Sequence, residues 1–477
     1  MFRRILRHEW RALTSDATLR ILVGVFALSI GYGTLNGVRW VAFQRDAIAE
    51  TQREEQDRFA AQEAQIGRIS RGEVKVSSFA DPRNPGTAGG RLGARYAVLP
   101  PAPLVPLAIG QSDLLPYYFK MTTDTKENVT AGAELENPHR LLAGRVDLAF
   151  VLIYLYPLLI LAISYNLLSA EKEQGTLALL LSQPVSVSTL ALAKVTLRFL
   201  VFLGAIIVLA GVALSVAGVT LVGDGANVRL ALWLSAIVAY GLFWFALAVG
   251  VAALGRPSAT NAMTLAAIWL LLVVLLPSMF NLLATTLHPV PSRVEMVQAV
   301  RLASDEANEQ GSKLLSRYYE DHPELAEGGA EQAMNDFNVI RVAVGAEVER
   351  RVRPVLDTFQ QQLTSQQRII DRLRFLSPAI LMQDALNDIA GTGVARHRHF
   401  MQQVSSFHET WRGHFVPLVF RKAQLATYDT IPRFAYQEES LAAPVSRVAV
   451  ALVGLLIPAC VLAVVGLRGL RRYPVVA

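Results

Sequence analysis

Long uncharged apolar windows alternate with ordinary polar sequence along this chain. Five windows lack Asp, Glu, Lys and Arg altogether: Leu148 to Ala170, Phe199 to Gly223, Leu230 to Gly255, Pro257 to Leu287 and Val448 to Leu467. Each has roughly the 20 apolar residues that a helix needs to cross a hydrocarbon core. A sixth window, Ile21 to Val38, is shorter and glycine-rich, and Arg20 and Arg39 bracket it, where their long side chains can reach the two interfaces. In lipid a backbone must satisfy its own polar groups, so all six windows predict helices. The pattern places spans at 20–41, 148–168, three within 189–287, and 446–467.

The polar stretches between them are unequal. Residues 42–147 begin with a charged helical stretch, Phe43 to Ile69. They then turn Pro- and Gly-rich, as in Asp81-Pro82-Arg83-Asn84-Pro85-Gly86, a composition that favours loops and short strands. The expected fold of this first domain is α+β or irregular. Residues 288–445 read mostly as long helices, with Val348, Val352, Val355, Leu356, Phe359 and Leu363 keeping a helical period. At the N-terminus, Phe2, Ile5, Leu6, Trp10 and Leu13 fall on one helical face, with Arg3, Arg4, Arg7 and Arg11 largely on the other. Residues 1–18 are therefore expected to form an interfacial amphipathic helix with Trp10 at headgroup depth. The plainer alternative is a basic leader that only sets topology.

Charge then orients the scaffold. Hydrophobic residues make up 52% of the 477 residues and charged ones 18%, below the roughly 25% of a soluble chain. The net charge of +6 matters through its placement. Arg3, Arg4, Arg7 and Arg11 at one end, and Arg468, Arg471 and Arg472 at the other, predict that both termini are cytoplasmic. Six spans satisfy that, and Lys172, Lys194, Arg198 and Arg256 fall on the same side. Both long polar segments then lie outside the cytoplasm. A cleavable signal peptide is not expected, because Met1 to Ser15 is too polar for an apolar signal core. The single cysteine, Cys460, excludes an intramolecular disulfide.

Catalytic patterns are weak. Gly67 to Gly72 has the spacing of a phosphate-binding loop, but Glu73 stands where the lysine belongs. His408-Glu409 lacks a second histidine four residues on, where Arg412 sits. His397 and His399, two apart on a helix, do not converge on one ion. Arg350, Arg351 and Arg353 lie beside Glu347 and Glu349 and read as a salt-bridged helix face rather than a nucleic-acid patch. No catalytic residue, metal site, bound cofactor or nucleic-acid contact is expected of this chain.

The informative short segment follows the second span. Glu171-Lys172-Glu173-Gln174-Gly175-Thr176-Leu177 begins charged, turns at a glycine, continues apolar and stops at Pro184. It predicts a short surface helix over 169–188 whose glutamates can meet basic groups on a partner. The alternative is an ordinary inter-helix loop. Residues Glu171 to Pro184 resemble the Glu-x-Glu-x-Gly-Thr-Leu-x-x-Leu-Leu-x-x-Pro signature of ABC-2-type transporter permeases. The whole membrane plan is similar to that family, which shares a type V exporter-like fold. The insertions after spans one and five resemble a bacterial subgroup whose inserted domain has no known function. Ser377-Pro378-Ala379, Asp388 to Gly393 and His399-Phe400 carry the resemblance in the second insertion.

That resemblance implies a permease subunit in a bacterial inner membrane. It would pair with a second permease, identical or paralogous, above two ATPase subunits that bind ATP and magnesium. Residues Glu171 to Leu177 would be its ATPase-coupling segment. The substrate pathway would lie at the paired interface, with Tyr154, Tyr156, Tyr165, Asn166 and Asn281 as polar lining; helix–helix hydrogen bonding is the competing role. Membrane lipids and periplasmic or outer-membrane components are the remaining expected partners. The absence of intramembrane charge argues against an ion-coupled carrier. Two other readings stand beside it: a non-transporting mechanotransmission or assembly protein, and a membrane enzyme with its site outside.

Overall fold

The computed structural model describes residues 2–15, 17–125, 146–216, 225–290, 293–321 and 337–474. The chain is a mostly helical, multi-pass membrane protein, with six helices long and apolar enough to cross a membrane among the described residues. Helix α1 (Phe2–Ser15) precedes the first of these, α2 (Ala17–Ser70). The second, α3, comprises Leu148–Phe150, a π turn over Val151–Leu155, and Tyr156–Ser164. Two short helices follow, α4 (Ser169–Glu173) and α5 (Thr176–Leu181), before α6 (Val187–Val216) and α7 (Ala226–Ala252). Helix α8 (Ser258–Trp269, a π turn over Leu270–Leu275, then Leu276–Leu287) leads into α9 (Arg293–Glu309), α10 (Gly311–Asp321) and α11 (Phe337–Leu373). Helices α12 (Pro378–Ala390) and α13 (Val394–Phe420) precede the last span, α14 (Ala442–Leu470).

The helix of the first span does not end where its apolar run ends. Helix α2 continues for 54 residues, so it rises about 80 Å in all and stands well clear of the bundle. Hydropathy changes at Arg39, but nothing in the sequence from Arg39 to Ser70 breaks a helix. Two glycines on this helix admit neighbours. A Cβ on Gly33 would sit 2.7 Å from the Asp147 carbonyl carbon, and one on Gly37 would overlap the Pro106 carbonyl oxygen. Only glycine allows backbones to approach this closely.

Asp147 exploits that approach. Its Oδ1 accepts from the Phe150 amide at 2.7 Å and caps α3, while its Oδ2 accepts from the Ile109 amide at 2.7 Å. The residue is buried. Asp147→Ala strands two buried amides and is expected to cost about 2–3 kcal/mol, read as a lower melting temperature of the detergent-solubilised chain, with Asp147→Asn losing less.

The two long polar segments form one body, here termed the head. Ile66 of α2, Ala97 and Leu99, and Phe119 and Met121 pack in a single core with Phe400, Phe407, Trp411, Phe415 and Tyr428. Among the described residues the Pro- and Gly-rich stretch folds as loops and short helical turns around an antiparallel ribbon, β1 (Arg95–Val98) and β2 (Tyr118–Met121), with Arg95 opposite Met121. Two separate domains were expected here; a core drawn from both segments joins them.

The second segment is also not confined to the head. Helix α12 packs between α7, α8 and α14, and Leu381, Met382, Ala385, Leu386 and Ile389 belong to the core of the bundle. At 13 residues it is too short to span, and it enters and leaves from the same end. The Ser377 hydroxyl donates to the Leu272 carbonyl, inside the π turn of α8, at 2.7 Å. Residues 374–390 are therefore a re-entrant hairpin, against the expectation that 288–445 lies wholly outside the bundle.

Candidate functional site

The opposite end of the bundle carries the segment singled out by sequence. Burial of Leu177 against Leu167, Leu168, Leu190, Ala252 and Leu470 fixes where the chain turns. Gly175 makes that turn, with φ at +70°, and no atom lies within 4 Å of where its Cβ would be. It ends α4 and starts α5 in a left-handed conformation that costs other residues about 1–2 kcal/mol.

The charges of this segment are each bonded within the chain. Glu171 pairs with Lys194 on α6, whose Nζ also donates to the Leu167 carbonyl at 3.0 Å. The Glu173 carboxylate accepts from the Ser258 amide at 2.6 Å and its hydroxyl at 3.0 Å, capping α8. Lys172 reaches the Gly255 carbonyl at 3.4 Å and lies 5.9 Å from the Tyr473 ring centroid. The two glutamates were expected to meet a partner; within this chain they brace α4 against α6 and α8, and Glu173 also stays exposed. Exposed are Glu173, Gln174, Gly175 and Thr176 and, past the buried Leu177, Leu179 and Leu180, with Leu179 76% exposed. The apex of this turn is thus a small, mostly uncharged knob on a rigid base. Thr176 adds to the base by donating from its hydroxyl to the Glu171 carbonyl at 3.2 Å.

A second brace was not singled out from sequence. Arg198, one turn beyond Lys194 on α6, is buried and donates from Nε to Glu9 of α1 at 2.9 Å. Its guanidinium also reaches the Ile163 carbonyl. Lys194 and Arg198 therefore hold two carbonyls, Ile163 in the last turn of α3 and Leu167 just beyond it, and one carboxylate each. Cations are favoured at a helix C-terminus, where carbonyls lack intrahelical partners. The four-residue spacing of the two cations, matched by the spacing of Ile163 and Leu167, was the signal available in the sequence. Helix α1 packs on α6 as a result, with Trp10 half-exposed; the side chains of Arg3 and Arg4 lie outside the described residues.

The five polar residues expected along a pathway do not gather within one chain. Tyr156 is fully buried, stacked on Phe26 with ring centroids 6.3 Å apart. Tyr154 sits beside Phe150, at 4.8 Å between centroids. Tyr165 and Asn166 are half-buried at the other end of α3, and Asn281 is exposed on the head-side half of α8. Tyr156 is thus a packing residue of the bundle rather than an open wall.

In the head, His397 and His399 bond different carbonyls, Pro116 and Gln437, each at 3.1 Å. Among the described residues no group of three or more His, Cys, Asp or Glu side chains is arranged to hold a metal ion. Glu347 bonds both Arg350 and Arg351, and these hydrogen bonds hold its carboxyl below the usual range despite desolvation. Neither a curated protein nor a solved structure matches this chain. Residues 293–437 match the family model of a domain of unknown function (DUF3526), a stretch that runs from α9 through the re-entrant hairpin to the approach of the last span.

Proposed function

We propose that this chain is the permease subunit of an ATP-driven transporter of the ABC-2 type. The observation that carries the reading is the braced knob at Gln174 to Leu180. A surface that receives force needs an exposed contact and a stiff base. Glu171, Glu173 and Leu177 supply the base by tying the turn to α6, to α8 and to the bundle core. Both ends of the described chain reach the same end of the bundle, where Ile5, Leu470 and Tyr473 pack with Leu177. In this reading that end is cytoplasmic, the head is periplasmic, and the membrane is the bacterial inner membrane. Two ATPase subunits, carrying ATP and magnesium, dock on the knobs of a pair of permeases, and nucleotide hydrolysis belongs to them. A second permease covers part of the exposed apolar surface.

The test is affinity purification of the tagged chain, followed by ATPase assays of whatever complex is recovered. An ATPase subunit is expected to co-purify. Gly175→Pro, which forbids the positive φ, and Leu179→Asp, which charges the knob, are expected to reduce ATPase-coupled function at least about tenfold while the chain stays inserted. Recovery of the chain without an ATPase, or full coupling in both variants, would remove the reading. One observation favours a second reading, in which the same scaffold transmits motion to the head without moving a substrate: α2 is continuous from bundle to head. A reconstituted complex that hydrolyses ATP and moves the head, yet has no path between paired chains, would select it.

A further inference from the structure

The re-entrant hairpin brings charge below the level at which the bundle is otherwise free of it. Two rulers give its depth. Phe375 and Leu381 lie 3.0 and 2.9 Å from where a Cβ on Gly454 would stand. Gly454 is seven residues past Arg447 on α14, inside the uncharged run, so the contact is about 10 Å below the last charged residue. Independently, Ser377 bonds Leu272, which is midway along Ser258–Leu287. Arg374, adjacent to Phe375, is therefore at hydrocarbon depth.

Arg374 is poorly satisfied there. Its nearest carboxylate oxygens, on Asp384 and Asp371, are 3.6 and 3.9 Å away, longer than hydrogen bonds. Its Nε is buried and without a partner. Its guanidinium carbon lies 5.3 Å from the Phe375 ring centroid. A guanidinium in this position is unfavourable unless an acceptor reaches it. The cluster is open to its surroundings, with all three side chains partly exposed. Beside it Phe375 and Leu376 are exposed, the latter 58%, as are Leu270, Leu271 and Leu275 on α8. The surface thus offers one cation, two carboxylates and an adjoining apolar wall.

We propose that this notch binds the headgroup of a zwitterionic phospholipid from the head-side leaflet, with phosphate on Arg374, the ammonium group between Asp371 and Asp384, and the acyl chains along Phe375, Leu376 and the outer face of α8. The geometry suits no simple anion, because two carboxylates flank the cation. It suits no simple cation, because the guanidinium stands between them. The proposal rests on the membrane placement alone and does not depend on the transporter reading.

Native mass spectrometry of the purified full-length chain in detergent tests it, with phosphatidylethanolamine, phosphatidylglycerol and diacylglycerol as probes. The wild-type chain is expected to retain phosphatidylethanolamine over phosphatidylglycerol, and both over diacylglycerol. Arg374→Gln is expected to weaken retention of both phospholipids about tenfold, as loss of a charge-assisted hydrogen bond would, with Arg374→Lys recovering part of it. Asp371→Asn with Asp384→Asn is expected to remove the preference for the amine. Excess inorganic phosphate is expected to leave retention unchanged. Equal retention of diacylglycerol by the wild-type chain, unaltered retention in Arg374→Gln, or displacement by phosphate would overturn the assignment. So would efficient cross-linking of Leu376→Cys between two copies in a Cys460→Ser background, because this face would then be covered by protein.

Discussion

Replacing Arg198 with alanine is expected to destabilise the folded bundle by about 3–5 kcal/mol, the usual cost of removing one partner of a buried ion pair. The loss is large because Arg198 holds two groups at once. Glu9 would be left as an uncompensated buried carboxylate, and the Ile163 carbonyl would lose its donor. Detergent-solubilised variant and wild type compared by thermal melting measure the loss. The control is the double variant Arg198→Met with Glu9→Met, which removes both charges and is expected to recover most of the stability. If the single variant melts with the wild type, the pair is not buried in the folded protein. A single variant as mild as the double one would show that the carboxylate is hydrated. The same variant should also free α1 from α6, so a probe at Trp10 is expected to report a changed environment.

The second large effect belongs to the head. Trp411 is fully buried, lies 4.9 Å from Phe415 and 6.1 Å from Phe407 between ring centroids, and donates from its indole nitrogen to the Gly89 carbonyl at 3.0 Å. Trp411→Ala opens a cavity at the point where both polar segments meet and is expected to cost about 3–5 kcal/mol. Trp411→Phe, which keeps most of the volume and loses the hydrogen bond, is expected to cost about 1 kcal/mol from that bond, with a smaller volume term in addition. The bundle core does not include Trp411. Limited proteolysis should therefore show the head of Trp411→Ala cut at low protease while the six spans stay protected. Cleavage spreading through the bundle at the same protease level would mean that head and bundle unfold as one unit.

The spans were legible because crossing hydrocarbon imposes a length and excludes charge, and both can be counted along a sequence. The re-entrant hairpin was not legible for the same reason. Helix α12 has 13 residues and carries Asp384, Asn387 and Asp388, so it falls below every threshold that finds a span. Its depth comes from contacts with Gly454 and Leu272, far away in the chain. Glu171 and Glu173 show the limit differently. A local reading sees acid in a short polar turn; its bonds depend on Lys194 and Ser258 arriving from other helices. Gly175 and Leu177 needed no such help, since a glycine at a turn and a leucine at its base state their roles locally. The union of the two polar segments was hidden because a shared aromatic core leaves no mark on either segment alone. The helix over Phe43 to Ile69 was legible, but its unbroken continuity with the span before it was not, because hydropathy and helix propensity are independent properties.

The unbroken helix from bundle to head sets a rule on chain length. Glu55 accepts from Arg95 at 2.9 Å and from the Tyr96 amide at 2.8 Å, and Phe59 packs edge-on against Tyr428, all on one side of α2. One residue inserted between Phe43 and Glu55 would lift everything above it by about 1.5 Å and swing it by about 100°. Those contacts would then point into solvent while the span below stayed seated. A whole-turn insertion of about seven or eleven residues would restore the facing but raise those side chains by about 10 or 16 Å. The head is also packed on Trp40 and Val41 below, so its partners could not follow. Gaps should therefore be absent from this stretch of related chains, whereas the loops around the ribbon are free to vary by ones and twos.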